Sequence, residues 1–375
     1  MKVLVAFGTR PEALKCFPVI KELRKRGNVE VKVCATGQHR QMLDQVLKLV
    51  EIEPDYDLNL MRATPTLTDL TNDILSAVGD VLSREQPDRV LVQGDTTTAM
   101  AATLAAFYRQ IPVGHIEAGL RSGNNYSPWP EEVNRRIIST IADLHFAPTA
   151  GARDNLLKEN IPPDSIHVTG NTVIDALCEI RQRLSGYQHN PETEHILKAA
   201  SDGKKRLLLV TSHRRENWGH GMQEVCEALR VLAARDDVSI VYSVHPNPNV
   251  RAAAHAALAG HAWITLVEPM DYLAFVALMT ASHFILTDSG GVQEEAPALG
   301  KPVLVLRDTT ERPEGVEAGG ARLVGTTTAA IVSEAQRLLD DPRAYDQMSQ
   351  APNPYGDGKA ACRIAGHIVG RGPEA

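Results

Sequence analysis

The chain has 375 residues, 43% hydrophobic and 23% charged, with a net charge of −7; with a mean hydropathy of −0.18 this describes a soluble protein with sizeable cores, long enough for two domains. The acidic balance argues against nucleic acid as a partner, and no apolar run reaches the roughly 18 residues of a membrane span. Cys16, Cys34, Cys178, Cys226 and Cys362 lie far apart without C-x-x-C spacing, and the chain enters a strand-like run, MKVLVAFG, without a leader-like segment, both as expected of a reduced, cytoplasmic protein.

Strand-like runs alternate with helical patterns from the first residue. Val3–Phe7 is predicted as a strand, and the loop Gly8-Thr9-Arg10-Pro11-Glu12 follows it. Pro11 suits the first turn of a helix running to about Arg26. Val31–Ala35 is the next strand, ending at Thr36-Gly37-Gln38-His39-Arg40 and a second helix. Thr68–Glu85 is an amphipathic helix, Arg89–Gln93 a strand, Thr96–Tyr108 a helix and Pro112–Ile116 a strand. A helix then runs from Glu131 to about Ala142, and Leu144–Pro148 is a short strand. The pattern restarts at Leu207–Thr211, Val238–Val244, Ile264–Val267, Phe284–Asp288 and Val303–Leu306.

Short strands alternating with helices predict parallel sheets with helices on both faces. The expected class is α/β, with two Rossmann-like, doubly wound domains facing a central cleft. Residues 1–170 form the first domain, joined by a C-terminal helix within about 355–375, and residues 171–354 form the second. Thr169–Asn190 is the helical and then polar connector, and the tail Tyr345–Ile368 is placed to pack back across both domains.

In open parallel sheets ligands bind at the carboxyl ends of the strands, so the loops there hold the candidate residues. The stretch Phe284–Gly315 is the most telling: a strand, a Ser289-Gly290-Gly291 turn, a short helix with Glu294 and Glu295, a closing Gly300 and another strand. Two glycines at a helix start let backbone amides approach a phosphate, and Glu295 is placed to accept from a ribose diol. The same pattern also serves as a plain strand-to-helix turn. Arg10 and His213-Arg214-Arg215 suit an anionic ligand, or pair with Glu12, Glu131 or Glu216 for structure.

Asp95, Glu117 and Glu131 lie at or just past strand ends in the first half, where carboxylates can act as acids and bases. Asp95 equally reads as a helix N-cap, and Glu131 and Glu132 suit a helix start on electrostatic grounds alone. Glu117, between a strand and Gly119, has the least structural explanation. His213 is placed to neutralise a leaving phosphate or to serve as a surface or capping histidine. The His115/Glu117 and His213/His245 sets lack metal-ligand spacing, so no catalytic metal is expected. Neither G-x-G-x-x-G after a strand, G-x-x-x-x-G-K-[ST] nor G-x-S-x-G occurs, which leaves a nicotinamide cofactor, a P-loop and a serine-hydrolase elbow without support.

The runs FGTRPEALK, QGDTTTAMAATLAAFY, HIEAGLRS, YSPWPEEVNRRI, SHRRENWG, TDSGGVQEEAPALGKPVLVLRDTTERPEG and NPYGDG occur in this order, out to Gly358. Together they resemble the non-hydrolysing bacterial UDP-N-acetylglucosamine 2-epimerases, a family similar in fold to two-domain GT-B glycosyltransferases. The resemblance implies cofactor-free, reversible conversion of UDP-GlcNAc to UDP-ManNAc, by elimination of UDP to 2-acetamidoglucal and re-addition. It implies Asp95, Glu117, Glu131 and His213 as catalytic residues. It implies Arg10, Ser289, Gly290, Gly291 and Glu295 for UDP, with Lys15, Arg135 and Arg312 around the same anion. Gln38, Gln41, Glu131, Arg214 and His245 match residues of an activating UDP-GlcNAc position. There this chain departs from some relatives, since Ala63-Thr64-Pro65 follows Arg62 where they carry a second basic residue. A homodimer is a further implication. A 2-epimerase of UDP-2,3-diacetamido-glucuronate, a GT-B glycosyltransferase, a silent UDP-sugar sensor and a hydrolysing epimerase are the competing readings.

Overall fold

The computed structural model describes residues 1–37, 40–60, 66–212, 219–245 and 247–370, without the side chains of residues 40–42 and 249. The chain divides into two compact units, Met1–Ala176 with Tyr355–Ala375, and Leu177–Pro354.

The first unit runs β1 (Lys2–Phe7), α1 (Arg10–Arg24), β2 (Glu30–Ala35), α2 (Arg40–Val50), β3 (Tyr56–Asp57), α3 (Leu67–Glu85), β4 (Arg89–Gln93), α4 (Thr97–Phe107), β5 (Val113–Ile116), α5 (Glu131–Ile141), β6 (Leu144–Ala147), α6 (Ala150–Lys158), β7 (Ile166–Val168) and the start of α7 (Thr172–Arg183), within which the division falls. The second runs α8 (Pro191–Ser201), β8 (Arg206–Ser212), α9 (His220–Ala233), β9 (Val238–Val244), α10 (Pro248–Leu258), β10 (Ile264–Val267), α11 (Tyr272–Ala281), β11 (Phe284–Thr287), α12 (Gly290–Ala298), β12 (Val303–Val305), α13 (Pro313–Glu317), β13 (Ala321–Leu323), α14 (Thr328–Asp340) and α15 (Pro342–Ser349). The chain then returns to the first unit with α16 (Ala360–Ile368).

Both sheets are parallel throughout, in the orders β3-β2-β1-β4-β5-β6-β7 and β10-β9-β8-β11-β12-β13. This is the doubly wound α/β class expected, with the order reversing beside β1 and β4 in one unit and beside β8 and β11 in the other. Sheets covered on both faces read as continuous apolar runs. Val3, Leu4, Val5, Ala6 and Phe7 are accordingly all buried, as are Leu207–Val210 in the second unit. α4 is rich in alanine, and its buried Ala99, Ala102 and Ala106 join Ile74 and Val78 of α3 and Ile138 of α5 in one core. In the second unit Leu208, Val210, Ile240 and Leu286 of the sheet pack with Leu229 and Leu232 of α9 and Ile331 of α14.

The expected strands are present within a residue or two of their predicted ends. Three others, β3, β7 and β13, are not among the expectations. They hold two or three residues each and lie at or beside sheet edges, too short to leave a period in the sequence. The tail divides rather than lying as one piece. Tyr345 of α15 stacks on His283, ring centroids 4.2 Å apart, within the second unit, whereas α16 packs on α1 in the first.

Where the chain leaves and re-enters the first unit, its two passes are clasped. The Asn171 amide donates to the Tyr355 carbonyl at 2.6 Å. Gly170 (φ +86°) and Gly356 (φ +139°) sit against each other so closely that a Cβ on Gly170 would lie 3.2 Å from the Gly356 Cα. Asp175 of α7 reaches across to the start of α16, accepting from the amides of Ala361 at 2.8 Å and Ala360 at 3.2 Å. It thereby satisfies two of the unpaired donors every helix start carries.

Burial pushes the Asp175 carboxyl up to about 6, against the pull of those amides. The native state therefore holds a proton to higher pH than the unfolded chain, and this contribution to stability is full below about pH 4 and is lost as pH rises through 6. Asp175→Asn cannot titrate and keeps one acceptor oxygen. The stability advantage of wild type over this variant is expected to shrink by up to about 3 kcal/mol between pH 4 and pH 7, read by thermal unfolding of both proteins across that range.

Candidate active site

The loop after β1 is built by close contact. Gly8 lies against the hydroxyls of Thr36 and Thr98, which bond each other at 3.0 Å, so that any Cβ at position 8 would collide with both. Glu12 folds back from the first turn of α1 and accepts from the amides of Gly8 (3.1 Å) and Thr9 (2.8 Å) and from the hydroxyls of Thr9 and Thr96 (2.7 Å each). Burial raises its pKa, and these four donors pull against that rise. Glu12 thus shapes the loop that carries Arg10, the first residue of α1.

Asp95 is not the N-cap of α4. Thr96 caps that helix, its hydroxyl accepting from the Ala99 amide at 3.0 Å, which leaves the Asp95 side chain for other work. That side chain pairs with Arg135, and the Asp95 carbonyl accepts from Asn134 Nδ2 at 2.9 Å. Arg135 also bonds Glu132 at 3.2 Å, and Glu132 accepts from the amides of Ser122 (3.0 Å) and Gly123 (3.2 Å). Burial drives the Glu132 carboxyl up, but the Ser122 amide, the Arg135 charge and the Gly123 amide outweigh it and leave its pKa below the usual value. His115 lies inside β5 rather than on its loop. Burial pushes its pKa down to about 3, so the neutral ring meets the Gly94 carbonyl at 2.7 Å and fixes the Gly94-Asp95 turn.

Glu117 is the first residue past β5, at φ +64°. A non-glycine residue pays about 1–2 kcal/mol for such a backbone, and here it turns a carboxylate into the protein. Only 7% of the residue is exposed. Lys15 Nζ bonds both carboxylate oxygens, at 2.7 and 2.6 Å. Gln93 Nε2 donates to Oε2, and Asn171 Nδ2 donates to Oε1 at 3.3 Å. Since β4 and β5 are paired neighbours, with Gln93 opposite Ile116, Glu117 and Asp95 issue from adjacent strand ends. Glu131, half-buried, opens α5.

In the second unit Ser289 is the N-cap residue of α12, and Gly290 and Gly291 form its first turn. Arg312 lies behind that turn, and a Cβ on Gly290 would come within 2.5 Å of its guanidinium. Arg312 is bonded to Glu294 at 2.5 Å and to Glu311 at 2.9 Å. Glu295 accepts from the Tyr272 hydroxyl. His245 follows β9, exposed, and accepts from the Asn247 amide at 3.2 Å. Gln38, Arg62, His213 and Arg214, and the side chain of Gln41, lie outside the described residues.

The family model for UDP-N-acetylglucosamine 2-epimerase matches residues 21–369. The chain belongs to this epimerase family. It is 57% identical over 364 residues to the probable UDP-N-acetylglucosamine 2-epimerase of Ralstonia solanacearum, covering 97% of each chain. It is 53% identical over 372 residues to the UDP-N-acetylglucosamine 2-epimerase of Salmonella typhimurium, again covering 97% of each. The crystal structure of the Neisseria meningitidis UDP-GlcNAc 2-epimerase bound to UDP-GlcNAc superposes with a TM-score of 0.92 at 50% identity, covering 99% of this chain and 100% of that one.

Within this epimerase fold, Lys15 is joined to Glu117 and Arg135 to Asp95 in the first unit, and Ser289, Gly290, Gly291, Glu295 and Arg312 are grouped in the second. Among the described residues no cluster of three or more potential ligands could hold a metal ion. Sequence reasoning missed Gln93, Asn134, Asn171 and Tyr272. Gln93 had a signal: it is the one polar residue after the apolar run of β4. Asn171 fell at the expected domain boundary, and Tyr272 lay outside the loops that were read for site residues.

Lys15 and Glu117 have side chains only 11% and 4% exposed, and breaking such a pair leaves a buried charge uncompensated. Lys15→Met is expected to lower stability by about 3–5 kcal/mol at neutral pH. Chemical denaturation of the variant beside wild type checks this.

Proposed function

We propose that this chain interconverts UDP-N-acetylglucosamine and UDP-N-acetylmannosamine in the cytoplasm, without a cofactor. The observation that carries the reading is the pair of carboxylates at adjacent strand ends, each held by a cation: Glu117 by Lys15 and Asp95 by Arg135. The family's named activity and the UDP-GlcNAc bound to the Neisseria meningitidis relative support the choice of substrate.

The chemistry explains why two such groups are needed. The C2 proton of the sugar has no neighbouring carbonyl to acidify it, so simple removal and return is out of reach. Elimination avoids the difficulty. A base takes the C2 proton, the C2–H electrons form the C1=C2 bond, and the C1–O pair departs with UDP, leaving 2-acetamidoglucal. Re-addition places a proton on the opposite face of C2 while a UDP oxygen rebuilds the bond to C1. Since the proton leaves one face and returns to the other, acid/base groups must serve both faces. In this reading Asp95, Glu117 and Glu131 are that set, and His213 neutralises the departing diphosphate.

Ser289, Gly290 and Gly291 offer the amides and positive end of α12 to the diphosphate, with Arg10 beside them in role, and Glu295, aligned by Tyr272, takes the ribose. Lys15, Arg135 and Arg312 are already bonded to carboxylates, so their first effect is to hold those carboxylates in place, and their second is to offset the charge of UDP. A second, activating UDP-GlcNAc position at Gln38, Gln41, Glu131, Arg214 and His245 belongs to the same reading. A homodimer does too, supported by Phe107, Tyr108, Val133 and Ile137, exposed apolar residues at the end of α4 and on neighbouring α5.

Incubation with UDP-GlcNAc in D2O, without cofactor or metal, is expected to give UDP-ManNAc carrying deuterium at C2 in the proton NMR spectrum. Glu117→Gln is expected to slow this by about 10²–10⁴-fold while UDP affinity changes little. A wild-type spectrum that stays unchanged, with UDP still binding saturably, overturns the choice of sugar; transfer to an acceptor without C2 exchange overturns epimerisation itself.

A further inference from the structure

Asn171 is held at its backbone and its side chain alike. Its amide donates to the Tyr355 carbonyl at 2.6 Å, and its own carbonyl accepts from the Ile174 amide at 3.1 Å. Its Oδ1 accepts from the Val173 amide at 3.2 Å, at the first turn of α7. Its Nδ2 donates to Glu117 Oε1 at 3.3 Å. The residue is 2% exposed, and Tyr355 is 1% exposed. Both passes of the chain between the units therefore run through the immediate surroundings of one side chain. The outgoing pass is Asn171 itself, five residues before the division after Ala176, and the returning pass is Tyr355, the first residue of the re-entering segment.

We infer that Asn171 is a positioning residue, through which the placement of the chain's junction is passed to the carboxylate of Glu117. The inference rests on the reading of Glu117 as an acid/base group. Asn171 has little freedom to adjust: Gly170 and Gly356 are in contact behind it, and Asp175 and Arg363 fasten the same two passes, Arg363 donating to the Thr169 carbonyl at 3.0 Å and pairing with Asp357 at 2.6 Å. A shift of the returning pass, taken up by the Asn171 backbone amide, thus moves the side-chain Nδ2 relative to Glu117. An amide donor favours the ionised carboxylate, so its approach or withdrawal changes how readily Glu117 takes and gives a proton. Any movement at the junction during turnover is felt at the reacting group.

The competing role is a helix cap and nothing more, and one substitution separates the two. Asp caps a helix as well as Asn does, so Asn171→Asp keeps the acceptor for Val173 while it removes the donor to Glu117 and puts a like charge beside it. A second buried carboxylate beside Glu117 carries a desolvation and like-charge cost, so this variant is expected to be less stable than wild type at neutral pH. Turnover of UDP-GlcNAc is expected to fall about 10- to 100-fold with KM changed less than about threefold, and the acid limb of kcat/KM to move up by about one pH unit. Asn171→Ser, which retains a capping hydroxyl but is too short to reach Glu117, is expected to change both in the same direction and by less; it carries the test alone if the Asp variant does not fold. Wild-type turnover and an unmoved acid limb in these variants, with Glu117→Gln inactive, overturn the positioning role alone. Wild-type turnover in Glu117→Gln overturns the role assigned to Glu117 and the inference with it.

Discussion

A carboxylate taken out of water must be given back its hydrogen bonds and its counter-charge, or it will not stay ionised. Glu117 is almost wholly buried, and the first unit is organised to meet that demand. Lys15 comes from α1, Gln93 from the end of β4, Asn171 from the start of α7, and the carboxylate itself from the end of β5. Four segments widely spaced in sequence must arrive together, and only the strand order that places β1, β4 and β5 side by side allows it. The left-handed backbone at Glu117 is part of the same demand. A carboxylate carried on an ordinary strand exit would follow the alternation of the strand, whereas φ +64° redirects it.

The second unit repeats the architecture and uses it for a different task. Here polar residues at strand ends and in the following loops and helix bond one another: Thr211 with Thr287 at 2.6 Å, Ser212 with Asp288 at 3.0 Å, Thr310 with Gln293 of α12 at 2.7 Å. Such contacts fix a loop without building an acid/base pair. On the proposed reading the ligand takes the start of α12, where two glycines keep the backbone bare. Arg312 cannot be read there as a loose cation. It is buried between Glu294 and Glu311 and stands behind Gly290, so a larger residue at 290 would disturb the arginine before it met a ligand. The same fold thus yields charge pairs around carboxylates at strand ends in one unit and a glycine-rich helix start in the other.

Much of this was legible in the sequence because it depends on local pattern. The long apolar strands, the helix with Pro11 in its first turn and the serine–glycine–glycine turn all announce themselves by period or by residue type. Asp95 and Glu117 were legible as residues at strand ends, but their partners were not. Nothing in sequence joins Lys15 to Glu117 across 102 positions, because such pairing is decided by sheet order, which local propensity does not encode. The N-cap reading of Asp95 failed for a reason of the same kind: Thr96 caps α4, and the Asp95 side chain pairs with Arg135, 40 positions away. The short edge strands β3, β7 and β13 were illegible for a simpler reason, since two or three residues held by one neighbour leave no alternation to read.

The two kinds of buried polar residue in the first unit have different consequences for change. Glu12 and His115 serve the backbone: one gathers the amides and hydroxyls of the β1 and β4 loops, the other a carbonyl, and burial keeps the imidazole neutral. Their replacement would alter loop shape first and chemistry only through it. Lys15, Gln93 and Asn171 serve a charge, and the energy of each of their bonds depends on whether that charge is present. On the proposed reading, proton transfer at Glu117 weakens all three contacts together. A residue bound only to backbone would not register the event, whereas Asn171 is bound to the carboxylate on one side and to the returning chain on the other. One residue thus links the two, its side-chain amide to the carboxylate and its backbone amide to the returning chain.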